Sequence, residues 1–185
     1  MREGQTGFLM ITKTAADYLS EYAAYHRDRR NIAIHSIGIP LIVLALVILT
    51  SRPVFHLGPL VLWPAVVLLA ALDVFYLALD RTLAIAFALA AAAMAYVGIL
   101  VAAEPTPVWL AAGIGAFVIG WILQFIGHAW EGKKPAFLDD VMGLAVGPLF
   151  VTAEGFFAAG RKAGLKTTIE SRVGPTYIRE GTAKA

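Results

Sequence analysis

Four stretches of this chain, about residues 32–50, 60–79, 82–102 and 108–131, are almost purely apolar, each roughly long enough to cross a bilayer as a helix. In lipid every backbone amide and carbonyl must be satisfied within the segment, so such runs fold as helices or belong to a closed barrel. Unbroken apolarity without a two-residue alternation selects helices. Composition agrees: 59% of residues are hydrophobic and 15% charged, against about 45–50% and 25% in soluble domains. The expectation is an all-α, polytopic membrane helical bundle of about four transmembrane helices. One integral-membrane domain covers 1–160, and a basic, disordered tail follows over 161–185.

The chain has no cysteine. That excludes disulfides, thiolate metal sites, iron–sulfur clusters and cysteine nucleophiles. A net charge of +2, divided between the two ends, does not suit nucleic-acid binding. No nucleotide-cradling glycine pattern, serine elbow or HExxH occurs. No cleavable signal peptide is expected, since the first 30 residues lack a continuous apolar core before a small-residue site.

Residues 1–12 read as a loose start. Thr14 and Asp17 have capping-box spacing and open an amphipathic helix lying on the membrane surface, with Leu19, Tyr22, Ala23 and His26 on one face. His26 and His35 are nine residues apart, which on one unbroken helix puts them on opposite sides. To share a site they need a break between them, and Asn31 is a plausible N-cap for the next helix. Ser51-Arg52-Pro53 ends the first span, and His56, Gly58 and Pro59 form a turn. Asp80-Arg81 joins the second and third spans, and Glu104-Pro105-Thr106-Pro107 separates the third from the fourth. Gly113, Gly115 and Gly120 offer close approach to a neighbouring helix. Residues 138–158, interrupted by Gly147-Pro148, read as an interfacial or re-entrant helix pair.

Basic residues flank the two ends (Arg27, Arg29, Arg30; Lys133, Lys134, Arg161, Lys162), and only Arg52 lies in the opposite loops. The positive-inside rule then puts both termini in the cytoplasm. His26, His35 and His128 fall on that side and His56 on the other.

Within Trp121–Ala136, Gln124, His128 and Glu131 share one helix face. Three histidines with Glu131 form a fair ligand set for a divalent metal, and an open-sided histidine–carboxylate site is used by non-haem Fe(II) oxygenases. On residues alone the bland reading stays open: polar side chains snorkelling to water at a helix end. Asp73, Tyr76 and Asp80 form a stripe on the second span. Asp73 lies about 10 Å deeper than Asp80, so it is either functional or a hydrogen-bonded buried acid. Arg27, Arg29 and Arg30 are expected to contact lipid headgroups.

Tyr25-His26, Asn31-x-x-x-His35 and Gly38-x-Pro40-Leu41 resemble the opening signature of the Mpo1-like (DUF962) membrane proteins. Gln124-x-x-Gly127-His128-x-x-Glu131-x-x-x-Pro135-Ala136 is similar to their second signature, and Gly147-Pro148-Leu149-Phe150 with Glu154 to a third. The resemblance spans about residues 18–158. It implies an Fe(II)-dependent dioxygenase that shortens long-chain 2-hydroxy fatty acids by one carbon, with iron on His26, His35 and His128. Glu131, Asp73 and Tyr76 are then candidates for catalytic roles, and Asn31, Gln124, Arg30 and Lys133 for substrate binding. A cationic rim of Arg29, Arg30, Lys133 and Lys134 suits an acidic headgroup. The partners are the 2-hydroxy acid, dioxygen and membrane lipid. Alanine-rich spans point to a bacterial inner membrane, or the endoplasmic reticulum for a eukaryotic source. The competing reading is a non-enzymatic lipid-binding scaffold or small carrier.

Overall fold

The computed structural model describes residues 13–135 and 140–180. The start over 1–12, the motif residue Ala136, Leu138 and Asp139 of the late apolar stretch, and 181–185 of the tail lie outside the described residues. The first helix, α1 (Ala15–Ala23), opens as the sequence dictates. Thr14 Oγ1 accepts from the Asp17 amide, and the Asp17 carboxylate accepts from the Thr14 amide at 2.7 Å. Leu19, Tyr22 and Ala23 are buried, which matches the apolar face read from spacing.

The chain breaks between the first two histidines, but not at Asn31. Helix α2 (Arg29–Thr50) takes Asp28 as its N-cap, with Oδ1 accepting from the Arg30 amide at 2.9 Å. Asn31 sits inside the first turn. Its side chain is needed elsewhere, as described below.

A second correction concerns residues 55–62. They form a hairpin, β1 (Phe55–Leu57) against β2 (Leu60–Leu62), with Phe55 opposite Leu62. β-formers flank Gly58-Pro59, and Gly58 takes the φ of 60° that the two-residue loop requires. Helix α3 (Pro64–Leu79) therefore starts at Pro64 rather than near residue 60, with proline in the first turn. Its 16 residues extend about 24 Å.

Asp80 caps α4 (Arg81–Ala103) by accepting from the Thr82 and Leu83 amides, and it also pairs with Lys162 at 2.5 Å. Burial opposes its ionisation, but Lys162 and those amides outweigh burial and hold its pKa below the ordinary value. Helix α5 (Thr106–Glu131) ends at Gly132, whose φ of 69° is a left-handed cap.

Helix α6 (Met142–Ala158) runs unbroken through Gly147-Pro148, contrary to the interruption expected there. Proline removes one amide bond, and the packing around it compensates: Val146, Gly147, Pro148, Leu149 and Phe150 are all buried. The reversal comes later, between α6 and α7 (Ala163–Val173), a bend of 115°. Residues 163–173, expected within a disordered tail, instead form helix α7. It packs on α1 through buried Ile169 and the Arg172–Asp17 ion pair at 2.7 Å, leading into an arm over 174–180.

Among the described residues, α2, α4 and α5 are long and apolar enough to cross a membrane, and α6–α7 adds a fourth if the bent pair is one span. The chain is an all-α membrane helical protein. Large apolar side chains such as Val74, Ile85 and Leu89 are exposed on α3 and α4, a surface fit for lipid.

The contact that positions the site is α2 against α5. Glycines recur every seven residues along α5 at Gly113, Gly120 and Gly127, and each faces α2. A methyl group added to them would lie 2.5 Å from Leu49 Cδ2, 2.6 Å from Ile42 Cγ1 and 2.3 Å from Asn31 Oδ1. The partners descend α2 as those glycines ascend α5. The helices are antiparallel, in a heptad-spaced seam of the kind that keeps one face in register over many turns. Gly115, expected to serve close approach, has nothing within 4 Å of its added methyl position and lies off the seam.

Candidate metal centre

The seam ends at the histidines. His35 lies in the second turn of α2, and His128 follows Gly127 near the end of α5. His26 comes from the turn between α1 and α2, where its ring stacks on Tyr22 at 4.2 Å and packs against Phe150 of α6. The three rings are 4.5–4.9 Å apart, centroid to centroid. One nitrogen from each falls within 4.8 Å of the others, and all three residues are buried.

Two of the imidazoles are tied at one nitrogen. His26 Nδ1 bonds the Tyr22 carbonyl at 2.8 Å, and His35 Nδ1 bonds the Asn31 carbonyl at 3.0 Å. Donation to a carbonyl fixes the tautomer and leaves Nε2 with a lone pair. His26 Nε2 and His128 Nδ1 are buried without hydrogen-bond partners among the described residues. Burial, then the neighbouring His35 and His128, hold the His26 pKa well below its usual value, keeping the imidazole neutral.

Buried lone pairs facing one another are costly unless something electron-poor lies between them. A first-row metal bonds imidazole at about 2.0–2.1 Å. Three nitrogens within 4.8 Å of one another lie within about 2.8 Å of a common centre, so each must move inward by about 0.7 Å at most to share one. The donor set fits a metal, with a carbonyl orienting the His26 and His35 rings as outer partners do.

Glu131 is buried one turn after His128 but is not part of the cluster. Its carboxylate accepts from the Arg27 amide at 3.0 Å, the Asp28 amide at 2.8 Å and Asn31 Nδ2 at 3.0 Å. It therefore holds the turn that carries His26. That is why Asn31 is buried in α2 instead of capping it.

A cavity of about 470 Å³ opens beside the cluster between α2, α3, α5 and α6. His35, His128 and Gln124 line one end, and Leu46, Leu68 and Phe117 lie along it. Gln124 is 5% exposed, and its Nε2 has no hydrogen-bond partner among the described residues.

The other expected site residues lie elsewhere. Arg30 pairs with Asp28 at 2.7 Å and Lys133 bonds the Ala24 carbonyl at 2.6 Å; neither lines the cavity. Arg27 is buried, bonding the Ala23, His26 and Gly174 carbonyls, which corrects its expected headgroup contact. Arg29 Nε bonds Thr176 Oγ1 at 3.3 Å. Tyr76 is fully buried and bonds the Ala145 carbonyl. Asp73 is half-buried with Oδ1 unpartnered, and neither it nor Tyr76 lines the cavity. Glu154, half-buried on α6, acts electrostatically on Arg27. His56 lies in the hairpin that follows the other end of α2.

Sequence reasoning named Gly127 in the second signature but missed its close approach to α2, although its heptad spacing from Gly120 was available. It put Tyr22 on one face with His26 but missed the stacking of their rings, and it missed the arm, whose contacts are mostly backbone.

The family model described as 2-hydroxy-palmitic acid dioxygenase Mpo1-like matches residues 12–158. The chain is 29% identical over 154 residues to a Saccharomyces cerevisiae protein named 2-hydroxy-palmitic acid dioxygenase MPO1, covering 82% of this chain and 85% of the yeast protein. No solved structure gives a significant match. With its matched region enclosing all three clustered histidines and the cavity beside them, this chain belongs to the Mpo1-like family.

Proposed function

We propose that this protein is an Fe(II)-dependent membrane dioxygenase that shortens long-chain 2-hydroxy fatty acids by one carbon. The observation that carries the reading is the pairing of three inward-facing imidazoles with an apolar cavity that starts at two of them. The yeast relative's name supplies the substrate class. His26, His35 and His128 would hold the iron. Bound there, iron would supply the redox chemistry that lets dioxygen react with a closed-shell acid. Overall, RCH(OH)COOH and O2 give RCOOH, CO2 and H2O, so dioxygen takes the four electrons that the acid loses.

The chain's own residues bind and orient. Along α2 the cavity runs from His35 to Leu46, eleven residues or about 16 Å. An extended polypeptide advances about 3.6 Å over three main-chain bonds, so that length takes an acyl chain of about thirteen bonds. Gln124 Nε2, an unpaired donor beside the histidines, is the group placed to bind a headgroup oxygen. Glu131 and Asn31 position His26, and Tyr76 anchors α6 along the cavity wall. Arg30 and Lys133 contribute to a positive rim rather than a direct contact, and Asp73 has no step assigned to it. The protein is multi-pass, and the basic residues gathered at the histidine end favour that end, with both termini, in the cytoplasm.

Purified protein supplied with Fe(II), dioxygen and a series of 2-hydroxy acids should consume oxygen and release the acid one carbon shorter. Absence of oxygen uptake at every chain length, with iron bound, would count against the reading and favour a lipid-binding scaffold or carrier using the same cavity. Gln124→Leu should lower kcat/KM by about 10–100-fold, the value of a hydrogen bond to a charged group. The iron content should not change, because Gln124 is outside the cluster.

A further inference from the structure

The arm over residues 174–180 lies beyond the family-matched region, yet its contacts converge on the histidine centre. Of the three clustered histidines, only His26 is not carried by a long helix; its position depends on what grips residues 27–29. Glu131 takes two of the amides there. The arm takes the other side: the Tyr177 amide donates to the Arg27 carbonyl at 2.9 Å, and the Arg29 amide donates to the Tyr177 carbonyl at 2.8 Å. Asp28, between them, accepts from the Arg179 amide at 2.8 Å.

Arg179 also reaches α5. Its Nη1 donates to the Glu131 carbonyl at 2.9 Å, and its own carbonyl accepts from Arg30 at 2.8 Å. The side chain occupies the space beside Gly132, where a Cβ would fall almost on the guanidinium. The Tyr177 hydroxyl lies 3.4 Å from Glu131 Oε1. One short segment thus joins the cap of the His35 helix, the end of the His128 helix and the turn of His26.

We infer that Tyr177 and Arg179 are positioning residues for the metal centre, holding His26 Nε2 against the other two imidazoles. This rests on the reading that the three histidines bind metal. Outer residues that fix ligand orientation are worth about 10–100-fold in metal affinity, and the arm acts on the ligand with the least helical support.

The test is Co(II) titration of the full chain in detergent, followed by cobalt absorption, with helical content checked by circular dichroism. Arg179→Ala should weaken Co(II) binding by about 10–100-fold, and Arg179→Lys should recover part of it by keeping a donor near the Glu131 carbonyl. A chain ended at Val173 should weaken binding at least as much as Arg179→Ala. At saturating Co(II) the Arg179→Ala absorption spectrum should differ from the wild type's while helical content stays unchanged, because a displaced His26 alters the ligand field. If the wild type binds no Co(II), the metal reading itself fails. If the wild type binds and both arm variants match it, only the arm's role is overturned. A wild-type cobalt spectrum in saturated Arg179→Ala also overturns it, since the arm would then act on the fold at large.

Discussion

Gly127→Ala should cost the protein its metal. The added methyl would lie 2.3 Å from Asn31 Oδ1, 2.8 Å from His35 Nδ1 and 2.8 Å from Ile34 Cγ2, all on α2 and short of ordinary contact. Asn31 and His35 are buried and hydrogen-bonded, so neither can step aside cheaply. The strain is relieved by moving the end of α5 away from α2 by about an ångström, since overpacking in a filled core is met by such shifts. His128 is the next residue and moves with it. Losing its approach to His35 should weaken metal binding beyond the roughly 100-fold reached by losing an outer partner. Gly115→Ala is the control, because its methyl meets nothing within 4 Å; its metal affinity should equal wild type. Metal titration of the two purified variants reads both outcomes. Equal affinities would mean that the seam does not set the site.

The second large effect is in the histidines. Replacing His26, His35 or His128 by alanine should abolish metal binding or leave a site too weak to survive purification, as a three-nitrogen set has no ligand to spare. Glu131→Gln should cost less, about 10–100-fold. Its carboxylate meets donors from Arg27, Asp28 and Asn31, and an amide would turn one acceptor into a donor facing them. His56→Ala should leave metal content unchanged, since that residue is exposed in the hairpin. Metal stoichiometry across the five variants gives the answer. A His56 variant stripped of metal beside a loaded His26 variant would sink the assignment.

Much of this was legible because lipid simplifies the grammar. Unbroken apolarity marked α2, α4 and α5 to within a few residues, and Thr14 with Asp17 marked the start of α1. The three histidines were readable as a set because one rule of sidedness put them at the same end. What failed did so for tertiary reasons. Asp28 followed by two arginines looks like a charged linker until Glu131, about a hundred residues away, binds the amides before it. Pro148 looks like a breaker until its neighbours are buried. Glu131 was recognised as important, but spacing tied it to His128, on its own helix, whereas its bonds go to the turn behind His26. The arm was the least visible element: backbone bonds of Tyr177 and Arg179 can be made by nearly any residue, so composition carries no trace of them.

The seam between α2 and α5 makes the chain's length matter in some places and not in others. One residue inserted between Gly113 and Gly127 turns everything beyond it by about 100°, so that Gly127 and His128 leave α2 together. The same holds on α2 between Leu49 and His35, its partners in the seam. The hairpin over 55–62 has no such phase to keep, for it only returns the chain to α3. Along the two helices the residue count is itself a specification of the centre, and in the hairpin it is merely a distance to be covered.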